Sequence, residues 1–164
     1  MPLMPPLVIV ACVLPPVAFG LLVAACRRVP ARTLRPVLRV QKVHNAVMCL
    51  YSLYVYLFVL RKFQSTGRLD SVRAALCESG DGAPVLWYAS KYVEWVDTLI
   101  LFAKGKKPSA LHLFHHATAA IAVAVNLFDR AQPTPCFDIG TVLNGGVHFA
   151  MYMYYYDPAA YRDL

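Results

Sequence analysis

Apolar residues gather into five long stretches, separated by short segments that hold most of the charge. Met1 to Cys26 contains no charged residue, and a spanning helix needs about 20 mostly apolar residues. This opening stretch lacks the basic start of a secretory signal and is too long for its apolar part. Pro15 and Pro16 predict a kink, which a membrane helix tolerates better than a soluble one. The pattern predicts spans at about Leu3–Cys26, Val43–Leu60, Ala83–Ala103, Ala110–Phe128 and Ile139–Tyr156. His44 and Asn45 stand at the entrance of the second, and Lys91, Glu94 and Asp97 lie inside the third. No internal repeat or low-complexity segment interrupts them. The expectation is an all-α, multi-span membrane protein of about five helices, forming a single domain over residues 1–164.

Composition supports that pattern. The 164 residues are 59% hydrophobic and 15% charged, with a mean hydropathy of +0.49, whereas a soluble domain carries roughly 25% charged residues. A soluble protein, a disordered chain, collagen and a disulfide-dense secreted scaffold are all excluded. The net charge of +7 would point to nucleic acid in a soluble protein, so its placement decides. Arg27, Arg28, Arg32, Arg35, Arg39 and Lys42 fill the first connection, and Lys104, Lys106 and Lys107 the third, with no acid in either. The second and fourth connections mix both signs. Basic loops face the cytosol, which predicts a lumenal amino terminus and a cytosolic carboxyl terminus, and removes the need for a nucleic-acid partner. Cys12, Cys26 and Cys49 fall in or beside spans as packing residues, while Cys77 and Cys136 share the predicted lumenal side, either bridged or free.

Charge inside a span needs a reason, since each buried charge costs about 2.5–3.5 kcal/mol on insertion. Lys91, Glu94, Asp97 and Thr98 occupy one arc of about 120° at about 100° per residue, which predicts either a self-neutralising packing pair or the lining of a polar cavity. His112, His115 and His116 follow at i, i+3 and i+4 and share one stripe. Three imidazoles there either ligate a metal or serve as nucleophile, base and hydrogen-bond partners. In the fifth span Asn144 and His148 lie four apart, and Met151, Tyr152 and Tyr155 continue their face. Tyr154 and Tyr156 fit an interfacial aromatic belt.

Taken in order, Lys91-x-x-Glu94-x-x-Asp97-Thr98, His112-x-x-His115-His116 and Asn144-x-x-x-His148-x-x-Met151-Tyr152-x-Tyr154-Tyr155 resemble the motifs of the ELO family of fatty acid elongases. The likeness covers about Arg28 to Tyr156. It implies a 3-oxoacyl-CoA synthase of the endoplasmic reticulum membrane, whose helices surround an acyl tunnel. Such an enzyme condenses a long-chain acyl-CoA with malonyl-CoA through an acyl-imidazole on a box histidine, releasing carbon dioxide and CoA. By the motif match, His115 and His148 are the principal catalytic residues, His112 and His116 shape the site, and Asn144 donates a hydrogen bond. Lys91, Glu94, Asp97 and Tyr152 are implied on the substrate side. Lys104, Lys106 and Lys107 stand where CoA phosphates would arrive, or are ordinary cytosolic loop charge. The resemblance implies no metal and no cofactor beyond the two CoA substrates. Its partners would be the bilayer and other elongase subunits or elongation-cycle enzymes.

Members of that family usually carry seven spans, so a chain with five is expected to be truncated at its carboxyl end. That leaves a second reading, a non-catalytic membrane protein that scaffolds or regulates full-length elongases. A di-iron desaturase also uses HxxHH boxes but needs about eight histidines, and only five are present. A transporter explains intramembrane polar groups but not the ordered motifs.

Overall fold

The computed structural model describes residues 6–66, 83–128 and 135–161. Among these, every regular element is helical: α1 (Pro6–Arg28), α2 (Ala31–Thr66), α3 (Ala83–Val93), α4 (Trp95–Ala103), α5 (Ala110–Phe128), α6 (Pro135–Tyr156) and a closing 3-10 turn, Pro158–Tyr161. Two described stretches are long and apolar enough to cross a membrane, Ile9–Arg28 and Ala31–Arg61, and a shorter apolar one runs Ala110–Val125. Cys77 and the side chain of Cys136 lie outside the described part, so the candidate bridge does too.

Two elements depart from the expected spans. Helix α2 has 36 residues, about 54 Å at 1.5 Å per residue, against a hydrocarbon core of about 30 Å. Charge ends a membrane span but does not end a helix, because Arg, Lys and Gln are good helix formers. The third span is divided: Glu94 separates α3 from α4, and there the Asp97 N–H bonds back three residues to the Glu94 carbonyl at 3.1 Å. The backbone tightens for one turn of 3-10 type at the charged residue.

The chain packs as two compact units, Met1–Arg39 with Gly80–Gln132, and Val40–Ser79 with Pro133–Leu164. In the first unit, α1 lies against α4 and α5, and α3 against α4 and α5. Helix α1 buries Pro15, Phe19, Val23 and Cys26, whereas Val13, Leu14, Val17 and Leu21 remain exposed on a face suited to lipid. Helix α5 answers with His116, Ala120, Val123 and Ala124. The small alanines permit close helix approach, the usual device where lipid is as apolar as the interface. Phe19 sits between Trp95 and His116, with ring centroids 5.2 and 5.8 Å away.

Pro15 has no N–H, so the Ala11 carbonyl four residues earlier loses its helical donor. The Tyr88 hydroxyl of α3 donates to that carbonyl at 3.3 Å, and the Tyr92 hydroxyl donates in turn to Tyr88 at 2.5 Å. A neighbouring helix thus satisfies the group that proline orphans, as an apolar medium requires.

In the second unit α2 and α6 run antiparallel. The Asn45 side chain donates to the Tyr155 carbonyl at 3.0 Å, Cys49 Sγ donates to the Phe149 carbonyl at 3.8 Å, and Tyr56 lies over Gly145. Rising number on one helix therefore meets falling number on the other. The buried residues of α2 are Asn45, Met48, Ser52, Val55 and Val59, spaced alternately three and four apart, the seam of a left-handed helix pair. Across it α6 buries Thr141, Gly145, His148 and Tyr152. A Cβ on Gly145 would stand 3.3 Å from the Tyr56 backbone nitrogen and 3.4 Å from the Ser52 carbonyl oxygen, so a larger residue would push the facing backbone back by a few tenths of an ångström.

Candidate active site

Two local devices fix the start of the histidine stripe. Helix α4 ends in a Schellman arrangement: the Lys106 N–H bonds to the Leu101 carbonyl and the Gly105 N–H to the Phe102 carbonyl, both at 2.9 Å. That geometry needs a left-handed residue, supplied by Gly105 at φ 68°. Ser109 caps the start of helix α5: its hydroxyl accepts from the His112 N–H at 3.1 Å while its carbonyl accepts from Leu113. The turn is short and closed at both ends, which sets the rotation of α5 against α4.

In that rotation the polar arc of α3 and α4 faces the histidine stripe of α5. Thr98, fully enclosed, places its Oγ1 2.9 Å from His112 Nε2. The rings of His112 and His116 are 4.2 Å apart, and those of His115 and His116 5.5 Å. Trp95 Nε1–H donates to the His116 carbonyl at 3.2 Å. The Glu94 carboxylate reaches both helices: Oε1 lies 2.5 Å from Lys91 Nζ, and Oε2 lies 3.9 Å from His115 Nε2. Lys91 in turn sits 4.1 Å over the ring of Trp87, a cation–π contact. Lys91, Glu94, Asp97 and Thr98 are all buried, so the arc faces protein, as its spacing implied.

Of the expected site residues, Lys91, Glu94, Asp97, His112, His115 and His116 therefore come together within the first unit. Asn144, His148 and Tyr152 belong to the second. There Tyr152 is completely enclosed, and its ring meets the rings of His44 and His148 edge-on at 5.9 and 5.7 Å. Asn45 takes the Tyr155 carbonyl, one of the last in α6 and beyond reach of an intrahelical donor. Lys104, Lys106 and Lys107 are exposed on the α4–α5 turn. Partial desolvation and the neighbouring Lys106 pull the Lys104 ammonium below the ordinary lysine value.

Sequence reasoning overlooked Trp87 and Ser109. Each had a local signal: an aromatic ring four residues before a buried lysine, and a serine three residues before the first histidine. The arrangement offers one partly open imidazole, His115, backed by a buried ion pair. A neutral imidazole is nucleophilic near pH 7.

The sequence profile of a family described as ELO: GNS1/SUR4 family matches residues 3–163. "Fatty acid elongase A" of Dictyostelium discoideum is 29% identical over 118 residues, covering 69% of this chain and 42% of the relative. "Fatty acid elongase 6" of Leishmania major is 33% identical over 129 residues, covering 70% of this chain and 31% of the relative. "Fatty acid elongase 2" of Trypanosoma cruzi is 29% identical over 135 residues, covering 70% and 47%. The chain thus spans less than half the length of these relatives. No solved structure matches it.

Proposed function

The chain belongs to the ELO family, GNS1/SUR4, and from that premise we propose that it lengthens fatty acyl chains as a 3-oxoacyl-CoA synthase. The observation that supports this best is the half-exposed His115 facing the enclosed Lys91–Glu94 pair. A ring nitrogen of His115 attacks the acyl-CoA thioester, the C–S bond breaks, and CoA departs with the ring proton. Malonyl-CoA then loses carbon dioxide, and the resulting enolate attacks the acyl carbon and breaks the C–N bond. The departing imidazolate takes up one proton from solvent, the proton that the decarboxylation consumes overall, and becomes the neutral imidazole again. Hydrogen bonds from His148 and Asn144 to the enolate are carried over from the family motifs. So are a water-poor acyl tunnel, the endoplasmic reticulum membrane as location, and CoA phosphates meeting Lys104, Lys106 and Lys107.

The test uses the 164-residue chain in microsomes lacking other elongases, supplied with radiolabelled malonyl-CoA and a panel of acyl-CoAs. We expect 3-oxo products two carbons longer, absent in His115→Ala. Correctly inserted wild-type protein that yields none would overturn catalysis by this chain and favour a scaffold for longer elongases. Product from His115→Ala at the wild-type rate would overturn the nucleophile.

A further inference from the structure

We infer that Glu94 acts on His115 as a positioning residue, stabilising the positive charge that develops on the imidazole as it attacks, and that Lys91 and Trp87 hold it charged and aimed. This rests on His115 being the acyl-carrying residue. Four observations lead to it. Glu94 and Lys91 are only 2% and 3% exposed, whereas His115 is 39% exposed. The ring is the member that meets a substrate, and the carboxylate stands behind it. The two carboxylate oxygens are assigned to different partners, one to the ammonium and one towards Nε2 of the ring. The pair is therefore an oriented dipole whose negative end faces the imidazole. Lys91 is itself fixed by the buried Trp87 ring beneath its ammonium. Finally, Glu94 occupies the tightened turn between α3 and α4, one helical turn from Lys91 on the side that faces α5.

The chemistry follows from charge. When a ring nitrogen bonds to the thioester carbon, the imidazole becomes an acylimidazolium until its proton leaves with the CoA thiolate. A fixed carboxylate beside the ring favours that cationic state over the neutral one, and does so most where water is scarce. Glu94 makes and breaks no bond. An ion pair serving only to neutralise itself would instead be dispensable as a pair, since buried ion pairs can be replaced by neutral groups with little loss of stability.

That contrast supplies the test. The double variant Lys91→Met/Glu94→Gln removes both charges together and avoids stranding either one. Wild type, the double variant, Glu94→Asp and His115→Ala are pulsed with radiolabelled acyl-CoA, quenched, and assayed for acyl-enzyme. We expect the double variant to unfold at about the wild-type temperature, yet to acylate about tenfold or more slowly at saturating acyl-CoA, with KM within about twofold. Glu94→Asp, which keeps the charge, should retain more of the rate than the double variant. Acylation of the double variant at the wild-type rate, or a loss confined to KM, overturns the inference while leaving His115 in place. Absence of acyl-enzyme in wild type overturns the His115 assignment itself.

Discussion

Tyr88 gives the most direct test of packing energetics at the scale of one residue. Its hydroxyl serves a carbonyl that exists as an orphan only because Pro15 follows four positions later. Tyr88→Phe should therefore destabilise the protein by about 1–3 kcal/mol, the cost of a buried polar group left without a partner. In a Pro15→Ala background the helix regains its own donor, and the same substitution should cost about 1 kcal/mol less. Unfolding of the four proteins in detergent, followed by circular dichroism, gives the coupling directly. Equal costs in both backgrounds would show that the hydroxyl acts elsewhere. The pattern extends to Asn45, which serves the Tyr155 carbonyl at a helix end. Both are polar side chains whose work is to complete a backbone in an environment with few alternatives.

The glycines of α6 separate propensity from packing at the scale of an element. Gly140→Ala meets nothing within 4 Å, while Gly145→Ala meets the backbone of Tyr56 and Ser52. Alanine is the better helix former by about 1 kcal/mol, so Gly140→Ala should leave stability unchanged or raise it. Gly145→Ala should lower it by about 1–3 kcal/mol through overpacking against groups that cannot rotate away. Thermal unfolding should fall for Gly145→Ala and not for Gly140→Ala, and an equal fall in both would contradict the α2–α6 register. These helices also show what the sequence made legible. The stripe of His112, His115 and His116 could be read because helical period alone puts them together, and α5 begins and ends where expected. The division at Glu94 could not be read, since no proline or glycine stands between Leu86 and Ala103. Nor could the Asn45–Tyr155 bond, whose partners lie 110 positions apart, because local pattern carries no information about which helix becomes a neighbour.

Charge along the chain makes a prediction about topology at the scale of the whole molecule. The acid-free connections predict that residues 27–42 and 104–107 lie on the same side of the membrane, the cytosolic one under the positive-inside rule. A glycosylation acceptor introduced after Lys107 should stay unmodified in microsomes, and one placed on an extension before Met1 should be modified. The reverse pattern would invert the orientation. The turn that carries those lysines also has a consequence in time. Trp95 and His116 lie 21 positions apart and are already joined through the closed turn between their helices. At a synthesis rate of about 5–20 residues per second, the ribosome needs about one to four seconds to supply the histidines after the acids. Glu94 and Asp97 therefore wait only that long for the imidazoles, well before α6 exists. Translation speed across Lys104–Ser109 thus sets how long Glu94 and Asp97 stand without the imidazoles of α5 beside them.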